Sequence, residues 1–78
     1  MPEHEAARIW RETVVKLTRP QLANRTGYCV ETIANFERGA SGNGRALSPR
    51  AWQKYRLACA AIHVGVRDFN WEHSKCLG

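Results

Sequence analysis

No apolar run in the chain approaches the roughly 18 residues a membrane-spanning helix needs, so no such span is expected. The opening stretch "MPEHEAARIW" lacks the basic-then-apolar order of a secretory signal peptide, and a cytoplasmic protein is expected. Cys29, Cys59 and Cys76 are odd in number, widely spaced and without a C-x-x-C pair. That argues against a secreted disulfide framework and makes reduced thiols the default. There is no internal repeat, low-complexity tract or long linker. Acidic residues are missing altogether between Glu37 and Asp68, a stretch holding Arg38, Arg45, Arg50, Lys54, Arg56 and Arg67, while Glu3, Glu5 and Glu12 crowd the start.

What is present is enough for one small core. A chain of 78 residues buries only about 60% of its unfolded surface and does not divide into two cores. Its 44% hydrophobic and 24% charged residues suit a globular chain rather than a disordered one. The net charge of +5, gathered to one side, points to a polyanion as partner, because neutralising phosphates releases condensed counterions. A merely solvated basic face is the plain alternative.

Periodicity and capping divide the chain into helices. Ala7, Trp10, Val14 and Leu17 recur at spacings of three and four, predicting a first helix from about Glu3 to Lys16. In "LTRPQLANRTG", Thr18 and Gln21 form a capping box, Pro20 is tolerated in the first turn and Gly27 ends a helix of about eight residues. Such a helix is too short to stand alone and must pack through Leu22 and Ala23. A third helix runs from about Val30 to Arg38, with Ile33 and Phe36 inward and Gly39 as its stop. Cys29 stands at its cap, where sulfur is a weak acceptor. The glycine-rich "GASGNGRAL" reads as a flexible surface loop. Ser48 and Pro49 then open a fourth helix, whose stripe is Trp52, Tyr55, Cys59 and Ile62 and whose end falls near His63 or Gly65. A short last helix from about Val66 is possible, and the residues after Glu72 are expected to fray. Residues 1–72 are therefore taken as one domain, with the central motif at 18–39 and a tail at 73–78.

Two helices crossing steeply over a short turn need a small residue on the first, a glycine able to turn left-handed between them, and apolar residues inside the second. Ala23, Gly27, Ile33 and Phe36 meet those needs. The segment "LTRPQLANRTGYCVETIANFERG" resembles the helix-turn-helix of the Cro/C1 repressor type, the XRE family. "LSPRAWQKYRLACAAI" is similar to that family's next helix, so the likeness covers roughly residues 9 to 64.

The resemblance implies an all-α domain of four to five helices of the lambda-repressor-like type that binds double-stranded DNA as a transcriptional regulator. Its size resembles the single-domain repressors of phages and mobile elements, including Cro-like proteins and the autoregulators that accompany anti-CRISPR genes. It implies base contacts from Val30, Glu31, Thr32 and Asn35. Phosphate contacts are implied for Arg19, which stands where the family often has glutamine, and for Arg38, Asn43 and Arg45, with Arg50 also placed to hold the backbone. The chemistry agrees: Asn35 can pair twice with an adenine edge, Val30 and the Thr32 methyl can meet a thymine methyl, and Glu31 can accept from a cytosine amino group. Glu31 can equally serve only the dipole of its helix. A homodimer on a palindrome is expected, with Val66, Phe69 and Trp71 as candidate contacts. The chain departs from the family in two places. Arg11 lies one residue out of register with the arginine that usually pairs with the glutamate of "ERG", here Glu37, and the loop at 40–47 is longer than usual.

Competing chemistry is thinner. Cys59, His63, His73 and Cys76 form a set suited to tetrahedral zinc, but Cys59 lies on the apolar stripe. Cys29 has no histidine near it in sequence, and neither an enzyme, a cofactor nor a small-molecule substrate is expected. The alternative class is a protein-interaction module, an antitoxin or an inhibitor of a host factor built on the same helices.

Overall fold

A computed structural model describes residues 1–66. The roles expected of Phe69, Trp71, His73 and Cys76, and the expected tail, lie outside them. The described chain is all-helical: α1 (Glu3–Ile9) continues into a π-helical turn (Trp10–Val14), followed by α2 (Arg19–Thr26), α3 (Val30–Arg38) and α4 (Pro49–His63).

The first helix corrects the expected straight run from Glu3 to Lys16. In the π turn the Val15 amide donates to the Trp10 carbonyl over 3.2 Å, and the Leu17 amide reaches the Arg11 carbonyl over 3.0 Å. The wider turn takes in an extra residue and rotates the chain beyond it. Val14, expected on the inner stripe, is 54% exposed, whereas Arg11 is buried. Lys16 then adopts φ +53°, the only non-glycine residue with positive φ among those described. A left-handed conformation costs an L-residue with a Cβ about 1–2 kcal/mol. Lys16→Gly is therefore expected to raise stability by about 1 kcal/mol after the entropy glycine loses on folding, read as a higher midpoint in thermal denaturation.

The motif forms as its caps dictate. The Thr18 hydroxyl accepts from the Gln21 amide, and the Gln21 side chain accepts from the Thr18 amide, closing the capping box. Gly27, at φ +83°, ends α2 and turns the chain into α3. Gly39, also at φ +83°, ends α3, and a Cβ there would stand 2.9 Å from the His4 ring. The start of α1 thus rests on the end of α3.

The core is small and aromatic. Leu22, Ala23, Ile33, Phe36 and Tyr55 are buried, with Ala7, Trp10, Leu17, Tyr28, Leu47, Trp52, Cys59 and Ile62 packed around them. Phe36 stacks on Tyr55 with ring centroids 4.1 Å apart, while Tyr28 and Trp52 meet it edge-on. The expected stripe of α4 therefore forms, and Tyr28, unassigned from the sequence, joins it. Along α1 and α4 the pairs Glu3 with Arg56 and Trp10 with His63 are each 53 residues apart, so these helices run side by side in one direction.

Candidate nucleic-acid interface

The outer face of α3 is built by what its inner face needs. Ile33 and Phe36 are buried in the core, whereas Val30 and Glu31 are exposed and Thr32 and Asn35 are half-buried at the edge of a groove. Val30 is 42% exposed. Cys29 makes no side-chain cap, in keeping with its chemistry. Its sulfur lies 2.9 Å from the Thr32 hydroxyl instead, a hydrogen bond that holds the thiol below its ordinary range.

Three of the five expected phosphate-binding side chains, those of Arg19, Arg38 and Asn43, have internal partners. Arg19 donates through Nε to Glu37 over 3.0 Å, leaving a side chain 42% exposed. Arg38 donates to the Asn35 side-chain oxygen and to the carbonyls of Ala40 and Ser41. Asn43 accepts from the Arg45 amide and the Ser41 hydroxyl, so its oxygen organises the loop. Arg50 borders a groove with Lys54. Arg45 is exposed, with only its backbone used.

The glycine-rich loop carries hydrogen bonds of its own. Ala40 and Ala46 pair as an isolated antiparallel bridge. Inside it the Ser41 amide donates to the Arg45 carbonyl over 2.8 Å, and the Gly44 amide to the Ser41 carbonyl over 2.9 Å. Those bonds make a hairpin-like turn that holds Arg45 at its edge.

Between α3 and the start of α4 lies an open groove of about 360 Å³, floored by Tyr28, Phe36, Leu47 and Ala51 and bordered by Thr32, Asn35, Ser48, Arg50 and Lys54. It joins two of the expected base-facing residues to two cations. Lys54 was not singled out from the sequence, although its spacing of four from Arg50 places both on one helix face.

Beneath this surface, Glu37 binds two arginines. Its side chain is wholly buried; Arg11 approaches one oxygen through Nε and the other through Nη2, and Arg19 shares the second. Arg11 also donates to the Leu17 carbonyl over 2.9 Å. Burial pushes the Glu37 carboxyl up, but the bonds from Arg11 and Arg19 outweigh it and hold the group below the ordinary carboxylate range. Arg11, which lies in the π turn, thus pairs with Glu37.

The residues considered for zinc are placed differently from one another. Cys59 packs against the core, where burial pushes its thiol up to about 11. His63 accepts a hydrogen bond from the Trp10 indole over 3.1 Å. Among the described residues no three His, Cys, Asp or Glu side chains are grouped to hold a metal ion. Of the expected dimer contacts only Val66 is described, and it is 47% exposed. No described helix is long and apolar enough to cross a membrane. No family model, curated protein or solved structure matches the chain.

Proposed function

We propose that this chain is a sequence-specific regulator that binds duplex DNA with α3 in the major groove. In this reading it is a repressor that acts as a dimer on a palindromic operator and occludes a promoter, including that of its own operon. The observation that carries the reading is the corner at Gly27: a capped α2 turns into an α3 whose inner face is held by Ile33 and Phe36, with Val30 and Glu31 exposed and Thr32 and Asn35 half-buried along an open groove. Supporting it are Arg50 and Lys54, which border one groove with Thr32 and Asn35, the exposed Arg45 of the loop, and Arg19 at the start of α2. Base edges would be read by α3, and these cations would position the protein without reading sequence.

The test is a mobility-shift titration of the DNA upstream of the coding sequence against an unrelated duplex, at one salt concentration. Arg19→Ala removes a surface charge yet leaves Glu37 with both bonds from Arg11, so it should fold and should weaken binding to the two duplexes alike. Asn35→Ala should erode only the preference, by about 1–3 kcal/mol. Absence of binding to any duplex at low salt would sink the reading and favour a protein-interaction module.

A further inference from the structure

We infer that the outer face of the C-terminal half of α4 docks a second copy of this chain, pairing antiparallel across a two-fold axis. From Leu57 to Val66 the sequence LACAAIHVGV contains no Asp, Glu, Lys or Arg. The inner side of this half is accounted for by Cys59 and Ile62, which pack on the core. On the opposite side a surface helix would carry polar groups, but here it carries Leu57, Ala60, Ala61 and Val64. Leu57 is 66% exposed and Val64 73%. A helix apolar on both sides is one that something covers.

The character of the face selects the occupant. Leu57 and Val64 are seven residues apart, two turns, with Ala60 and Ala61 between them. That arrangement is self-complementary: alanines let two backbones approach at the crossing point, and Leu57 of each copy then meets Val64 of the other. Charge sets the direction. The same side of α4 carries Arg50 and Lys54 in its N-terminal half, which a parallel pairing would bring against their own copies; the antiparallel one sends them to opposite ends. None of Leu57, Ala60, Ala61 and Val64 is charged.

Size sets the strength. Two turns of helix span about 10 Å, and such a stripe covers well under the roughly 800 Å² per partner of a stable interface. The dimer should therefore be weak in solution and gain most when both copies hold one duplex. That last step rests on the DNA-binding reading; the docking face itself does not.

The experiment uses the full chain with a charge swap. Leu57→Glu with Val64→Glu, and Leu57→Lys with Val64→Lys, both alter exposed positions and should keep the wild-type circular dichroism and melting temperature. In sedimentation at high-micromolar concentration, wild type should show concentration-dependent dimer, each variant alone should be monomeric, and an equimolar mixture of the two should regain the dimer. On a palindromic duplex each variant alone should lose affinity on the order of a hundredfold, while binding to a single half-site should match wild type. Variants as dimeric as wild type would overturn the inference. So would a monomeric wild type whose melting temperature falls in both variants, because residues 67–78 of the same chain would then be the cover. Half-site binding lost by wild type as well would strike the DNA reading and leave the sedimentation result to judge the docking face.

Discussion

Glu37→Ala is expected to destabilise the protein by about 3–5 kcal/mol, the usual cost of removing one partner from a buried charge pair. Much of that cost falls on the partner left behind. Arg11, with only 8% of its side chain exposed, would retain a single described acceptor besides the neighbouring Glu12, the Leu17 carbonyl. Arg19 would lose the one acceptor that holds it at the start of α2. Against a total stability of about 5–15 kcal/mol for a folded domain, that is a large share, and the variant should unfold at a much lower urea concentration than wild type, followed by circular dichroism. A loss below about 1 kcal/mol would mean that the cluster contributes no more than a surface ion pair.

The same cluster sets a pH dependence with a definite sign. Because the folded-state carboxyl lies below its ordinary value of 4.5, the unfolded chain binds its proton more readily. Stability from Glu37 is thus fully present above the unfolded value and disappears as pH falls through the lower, folded one. Wild type should lose stability in that acidic window, and Glu37→Ala should be flatter across it.

Phe36→Ala has an expected loss of similar size, about 3–5 kcal/mol for a buried aromatic in a core that collapses poorly. The ring is 3% exposed, lies flat on Tyr55 and takes the edges of Tyr28 and Trp52. Four aromatics sharing one ring's space leave no small side chain to fill the gap. Since Phe36 and Ile33 are what seat α3, the variant should also lose whatever α3 recognises. Phe36→Leu should recover part of the stability but not the ring pairing, worth about 0.5–1.5 kcal/mol per aromatic pair. Urea midpoints of the two variants against wild type give both numbers, and a Phe36→Ala midpoint equal to wild type would contradict the packing described.

The features legible in the sequence are those whose causes are local. A hydroxyl three residues before a glutamine, a proline at a helix start and a glycine after its end act through their own backbone, so Thr18, Gln21, Gly27, Gly39, Ser48 and Pro49 stand where the pattern places them. The inward pair Ile33 and Phe36 follows from spacing alone. The π turn does not, because Trp10 to Val14 carry no residue that forces it, and the bond from Arg11 to Glu37 joins residues 26 apart, beyond the reach of any local pattern. For the same reason periodicity misassigns the inner stripe at Val14. Tyr28 escapes it because a lone aromatic in a turn has no period. In the candidate site, residue type indicates which side chains could touch DNA, but not that Arg19, Arg38 and Asn43 already hold partners, since those bonds depend on where the loop and Glu37 come to lie.

On the proposed DNA-binding reading, the bond between Arg38 and Asn35 would make recognition an exchange. The Asn35 oxygen that would accept from an adenine amino group accepts from Arg38 in the free protein, and Arg38 in turn is held by the carbonyls of Ala40 and Ser41. The oxygen has two lone pairs; where a base takes the one that Arg38 occupies, one hydrogen bond is traded for another and the guanidinium set loose would be free for a phosphate. Reading a base and gripping the backbone would then be one coupled event, with a mismatched base forfeiting both.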